Sequence, residues 1–157
     1  MDETYRKDFK KWASYKEILN SKESDGLFAE REIWWCALGI NIGSEQDGKN
    51  DFFERPVLIV KKINKDRLLV APITSQIANY QDRITVTVAG KESQVLLSQI
   101  RVISNKRLLR KIQRMKTLIF QRIIINLARF ILTVTDESET PPESGESRGP
   151  EATVNLV

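Results

Sequence analysis

The chain has 157 residues, with 25 Lys+Arg, 21 Asp+Glu, one cysteine and no histidine. That length suits one folded domain with appendages; the lone Cys36 excludes an internal disulfide and points to a reducing, cytoplasmic setting. Absence of histidine excludes imidazole acid–base pairs, His-bearing zinc sites and Ser-His or Cys-His nucleophiles.

Residues 1–30 are expected to form an N-terminal amphipathic helix and a linker. Met1 to Lys7 holds no apolar run of the kind a signal peptide needs. Tyr5, Phe9, Trp12, Tyr15 and Leu19 follow at spacings of four and three, with Lys and Arg between them, which predicts a helix with an aromatic stripe. Packing is the expected use of that stripe, and stacking on unpaired bases the alternative. Ser21 to Gly26 ends the helix.

Residues 31–134 form the expected folded domain. Short runs rich in β-branched and aromatic residues cover Glu32–Leu38, Pro56–Ile63, Arg67–Ile73, Arg83–Val88, Gln94–Leu97 and Ile100–Ile103, joined by Gly, Asn and Asp. They predict a small antiparallel barrel or sandwich. Arg83 to Val88 alternates, so Ile84, Val86 and Val88 are expected to face the core. Ile33-Trp34-Trp35-Cys36-Ala37-Leu38 is apolar on both faces and needs cover on both, the outer one from the N-terminal helix or a second subunit. Cys36 reads as a small buried hydrophobe. Lys106 to Leu132 is expected to be helical, its apolar run broken by Arg122, Asn126 and Arg129, which argues against a membrane span. Lys106, Arg107, Arg110, Lys111 and Arg114 form a basic cluster that suits either phosphates or a solvated face.

Residues 135–157 turn to Ser, Glu, Pro and Gly and are expected to be a disordered acidic tail. From Asp136 onward six acids face one base, Arg148, leaving residues 1–135 with 24 bases and 15 acids, a net of +9 inside a chain whose formal charge is +4. Such a body favours a polyanionic partner, and the tail is expected to compete for the same face.

Four segments stand out as candidates for chemistry. Gly43-Ser44-Glu45-Gln46 lies in a long polar loop that runs to Glu54; Arg55-Pro56-Val57-Leu58-Ile59-Val60 follows it; Pro72-Ile73-Thr74-Ser75-Gln76 ends a strand; Ser98-Gln99-Ile100-Arg101-Val102-Ile103 opens another. Each taken singly has a plain reading: a surface ion pair for Arg55, a hydroxyl turn for Thr74, a mobile insertion for the loop. In series, with Asn105-Lys106-Arg107-Leu108, they resemble the MazF/PemK family of toxin endoribonucleases over about residues 31 to 131.

The resemblance implies an SH3-like antiparallel barrel with a C-terminal helix, mainly β with the added N-terminal helix. It implies a homodimer that cleaves single-stranded RNA, mRNA above all, without metal or other cofactor, and is neutralised by a cognate antitoxin. Carried over residue by residue, the family's catalytic Arg and Thr match Arg55 and Thr74, its loop Ser and Glu match Ser44 and Glu45, and its supporting Gln matches Gln99. Gln46, Lys49 and Ser75 join these as expected substrate contacts. The residue types suit cleavage by the ribose 2′-hydroxyl: a forked, permanent cation holds the phosphorane oxygens, a hydroxyl fixes the phosphate, and a carboxylate accepts the proton. The alternatives are a toxin-fold protein that binds a protein target such as DNA gyrase, and a non-catalytic nucleic-acid-binding module.

Overall fold

The computed structural model describes residues 5–133, so the expected acidic tail lies outside the described residues. In chain order the elements are α1 (Phe9–Ser21), β1 (Glu32–Ala37), β2 (Glu54–Lys62), β3 (Arg67–Thr74), β4 (Arg83–Val88), β5 (Lys91–Leu96), β6 (Arg101–Ser104), β7 (Leu108–Arg114) and α2 (Thr117–Leu132), with 3₁₀ turns at Leu97–Gln99 and Asn105–Arg107. The strands run antiparallel in the order β4-β5-β3-β2-β1-β7, and β6 pairs with β3 off that path. β3 closes the curl: its first half, Arg67 to Val70, pairs with β6, while Ile73 and Thr74 pair with Val95 and Gln94 of β5. The result is the mainly β, curled antiparallel sheet flanked by helices that the sequence implies.

The unbroken apolar run in β2 is explained by cover on both faces. Leu58 and Val60 join a core with Ile33, Ala71, Ile73, Val86, Val95, Ile123 and Leu127, so α2 lies on that side. Val57 and Ile59 join the other core, with Cys36, Leu38, Leu68, Val70 and Leu108. Val86 and Val88 are buried as the alternation of β4 predicts, and Ile84 packs against the same core. Cys36 is fully buried, and its desolvated thiol is pushed up to about 12, which makes it inert.

Two expectations need correction. The helix expected over Lys106 to Leu132 occupies only Thr117–Leu132, because Leu108–Arg114 is a strand on the outer edge of β1. Leu108, Leu109 and Ile112 fit a helical spacing, yet β1 needs a partner on that edge, and tertiary pairing overrides local propensity. The pairing takes up two register shifts, between Ile33 and Trp34 and between Trp35 and Cys36. The basic cluster on this strand and the 3₁₀ turn before it is therefore largely structural. Arg110 binds Glu54, Lys111 binds Glu32, and Arg107 donates to the Ala37 and Leu38 carbonyls.

The N-terminal helix starts at Phe9 rather than Tyr5, because Asp8 caps it by accepting from the Lys11 N–H at 2.9 Å. Of the stripe, Trp12 and Leu19 are buried with Ala37, Ile40 and Phe53, Tyr15 packs at their margin, and Tyr5 and Phe9 stay exposed. Ala37 thus gains its outer cover from α1. Gly39 permits the contact: its φ is +91°, and a Cβ there would lie 2.2 Å from the Trp12 ring.

Candidate functional site

The loop from Gly39 to Phe53 is folded on itself. Gly48 N–H donates to the Gly39 carbonyl at 2.8 Å, and Lys49 and Glu54 exchange backbone bonds, so that Asn50 to Phe53 form a small tip. Only glycine fits at 48, where a Cβ would meet the Phe53 carbonyl at 1.7 Å. Asn41 organises the other half: its N–H donates to the Asp47 carboxylate at 2.6 Å, its amide donates to the Gln46 carbonyl at 2.8 Å, and its side-chain oxygen accepts from Arg101 at 3.1 Å. Gln99, the expected supporting glutamine, accepts from the Gln46 N–H at 3.1 Å. The loop is tied at both ends and in the middle.

This loop carries groups to Arg55, which is 7% exposed. Arg55 Nε donates to the Asp47 carbonyl at 2.6 Å and Nη1 to the Ile73 carbonyl at 3.3 Å. With its amide oxygen turned inward, Gln46 accepts from Arg55 Nη2 at 2.8 Å. Burial lowers the guanidinium's pKa, against the opposing pull of the Asp47 carboxylate, yet an arginine so held remains a cation at neutral pH. Arg55 is therefore an oriented, partly desolvated charge, and the surface ion pair of the single-residue reading is not what it makes.

Thr74 stands across from it. The β2–β3 pairing ends at Val57 and Pro72, and beyond it Arg55 Nη1 reaches the carbonyl of Ile73, the residue before Thr74. Thr74 Oγ1 accepts from the Gln76 N–H at 3.2 Å, the expected hydroxyl turn. Both side chains line one open cavity of about 370 Å³, together with Trp35, Lys49, Ser75 and Ser93. Three cations, Arg55, Lys49 and Lys91, thus share a small depression with three hydroxyls, Thr74, Ser75 and Ser93, and with the Glu54 carboxylate. Fixed donors around a concave site are what an oxyanion or phosphate requires.

Arg55 also lines a second cavity, of about 550 Å³, with Tyr5, Lys7, Glu45, Gln46, Lys49 and Gln76. Glu45 belongs to this neighbour and not to the cavity of Thr74; its carboxylate accepts from the Ile42 N–H at 3.1 Å. A third cavity, of about 440 Å³, brings Glu45 and Gln46 beside Gln99 and Arg101. Ser44 is exposed at the tip of the turn and lines none of these three.

The structure adds a pairing that the sequence does not single out. Glu54, buried beside Arg55, takes a forked pair of bonds from Arg110 at 2.7 and 3.0 Å and one from Asn50 at 2.9 Å. Arg110, foremost, holds the Glu54 carboxyl below the usual carboxylate range, and Asn50 adds to the effect. That pairing balances the Glu54 charge, and Arg110 stacks in turn on Trp35 at 4.9 Å. Nothing in local spacing links residues 54 and 110, which meet only because β2 and β7 flank β1.

The family model for PemK-like, MazF-like toxins of type II toxin-antitoxin systems matches residues 29–131. The chain belongs to this family. Solved structures share its shape. A MazF from Deinococcus radiodurans is 16% identical, with a TM-score of 0.53 over 66% of this chain and 96% of that one. A mycobacterial endoribonuclease in complex with its cognate antitoxin is 12% identical, with a TM-score of 0.51 over 69% and 99%. The Mycobacterium tuberculosis toxin MazF-mt6 is 19% identical, with a TM-score of 0.50 over 66% and 100%. No curated protein sequence matches the chain. At such identities the shapes speak for the fold, and α1 precedes the span that the family model matches. As a member of this family the chain carries its candidate residues on the barrel itself. Among the described residues no helix is long and apolar enough to cross a membrane.

Proposed function

We propose that this toxin is a metal-independent endoribonuclease that cleaves single-stranded RNA, with Arg55 and Thr74 gripping the scissile phosphate. The observation that carries the reading is the convergence of a buried guanidinium and a strand-end hydroxyl on one open cavity. The 2′-oxygen attacks phosphorus, a P–O bond forms as the P–O5′ bond breaks, and the products are a 2′,3′-cyclic phosphate and a 5′-hydroxyl. Negative charge grows on the non-bridging oxygens, where Arg55 and Lys49 attract it and Thr74 and Ser75 donate hydrogen bonds. Glu45 takes the 2′-hydroxyl proton and water protonates the leaving oxygen. Gln46 and Gln99 orient the guanidinium and the loop, and Ser44 meets the RNA strand at the loop tip.

The partners follow from the family reading. A cognate antitoxin binds this toxin, in keeping with a solved relative held in complex with its own antitoxin. A second copy of the chain covers exposed apolar residues of α2, of which Leu118, Ile125 and Leu132 recur every seventh position on one face. Light scattering on the purified chain tests that dimer.

Incubating a long single-stranded RNA with the protein in EDTA, then mapping the new ends, tests the activity. Discrete fragments with 5′-hydroxyl ends are expected. Intact RNA bound with micromolar affinity would instead favour a non-catalytic binding module, and intact RNA without binding a toxin directed at a protein.

A further inference from the structure

The segment before α1 does more than lead into the helix. Lys7 Nζ donates to the Asn41 carbonyl at 2.6 Å and the Gly43 carbonyl at 2.9 Å, and pairs with the Asp47 carboxylate at 3.2 Å. The Tyr5 hydroxyl donates to that same carboxylate at 3.2 Å. These bonds cross 34 to 42 positions of sequence and fix the segment against the loop that orients Arg55. Yet Tyr5 as a whole residue remains 63% exposed while its hydroxyl is held. It walls the cavity of about 550 Å³ that meets the candidate phosphate cavity at Arg55 and Lys49. That volume lies within the usual span of about 300–1,000 Å³ for small-ligand sites.

The surroundings suit a nucleotide. Gly43 leaves open space beside the loop, since a Cβ there would meet nothing within 4 Å. Lys49 Nζ makes no ion pair or hydrogen bond among the described residues, so its charge is available to a phosphate. The Gln76 side chain offers both a donor and an acceptor to a base edge. The two carboxylates in this cavity are already engaged, Asp47 by Lys7 and Tyr5 and Glu45 by the Ile42 N–H. An aromatic face beside a cationic track is how single strands are held without sequence-specific pairing.

We propose that this cavity is a subsite for the nucleotide flanking the scissile phosphate of a single-stranded RNA, with the Tyr5 ring as the platform on which its base stacks. The subsite rests on the ribonuclease reading, since its position is defined by the phosphate at Arg55. Lys7 is a positioning residue that holds the platform to the loop. The residues that build this wall precede the span matched by the family model, so the platform belongs to this chain's own N-terminal extension.

Binding to an uncleavable single strand separates the two ideas. The full chain, Tyr5→Ala and Tyr5→Phe would be titrated by fluorescence anisotropy against a mixed-sequence RNA whose 2′-hydroxyls are all replaced by fluorine. Loss of one stacked base should weaken the alanine variant by about 5- to 100-fold, while the phenylalanine variant keeps the ring and binds close to the parent. Equal affinity for parent and Tyr5→Ala would overturn the subsite. Equal losses in both variants would also overturn it, since the hydroxyl tie to Asp47 would then account for the effect, and so would a parent that fails to bind the strand. Failure of the ribonuclease reading shows elsewhere, as natural RNA left uncut in EDTA.

Discussion

Burying a guanidinium forfeits hydration that only well-placed acceptors replace, and Arg55 has three: the carbonyls of Asp47 and Ile73 and the Gln46 amide. None is a carboxylate, so the charge is oriented without being neutralised and stays available to an incoming anion. Arg55→Ala should therefore lower the cleavage rate about 10²- to 10³-fold, at a cost of about 1–3 kcal/mol in stability from the carbonyls left without a donor. Arg55→Lys should fail to restore the rate, because an ammonium cannot fork between oxygens. Single-turnover kinetics and urea denaturation on the same samples separate the two effects. Thr74→Ala should slow cleavage while Thr74→Ser retains most of it. For Glu45, cleavage by Glu45→Gln should fall about 10²-fold if the carboxylate takes the proton; an unchanged pH profile would transfer that role to water, in keeping with the carboxylate's present tie to Ile42.

At the scale of elements, the site depends on two contacts made far along the chain. Trp12 of α1 seats on Gly39 and Phe53, with the Arg107 guanidinium 5.4 Å from its ring, and so braces the loop from behind. Trp12→Ala should cost about 3–5 kcal/mol if the gap does not collapse, and Gly39→Ala should unseat the same ring by collision; chemical denaturation reads both. The Glu54–Arg110 bond ties β2 to β7 across β1. Since the folded Glu54 pKa lies below its unfolded value, the pair's stabilisation is present above the unfolded value near pH 4.5 and is lost as pH falls through the lower, folded one. Glu54→Gln should accordingly flatten the acid limb of a stability profile measured between about pH 5 and 2.5.

The strands from Glu32 to Ser104 were legible because alternation and β-branched residues mark them locally. β7 was not. Its Leu108, Leu109 and Ile112 suit a helix as well as a strand, and the choice is made by the open edge of β1, which no window of local sequence contains. The same distance effect governs the site. Arg55, Thr74 and Gln99 are legible because ordered motifs carry them, whereas the Asn41–Asp47–Lys7–Tyr5 network and the Glu54–Arg110 pair join residues separated by dozens of positions and exist only after the sheet curls.

Over the whole molecule, charge would set how the proposed RNA substrate is reached before any single contact forms. Residues 1–135 carry a net of +9, and the acidic stretch from Asp136 brings the chain to +4. Binding to a single strand releases counterions, so its constant should fall with salt at a logarithmic slope of about −0.7 per phosphate neutralised. Removing residues 136–157 restores the +9 and should tighten binding to an uncleavable RNA at low salt, with the gap to the full chain closing toward 1 M, where the Debye length is about 3 Å and only direct contacts survive. Two anisotropy titrations across that range decide the matter. If the curves converge as salt rises, the acidic stretch acts through its field on the basic body. Parallel curves that never meet would mean that it occupies the groove by contact, and coincident ones that it plays no part in RNA binding.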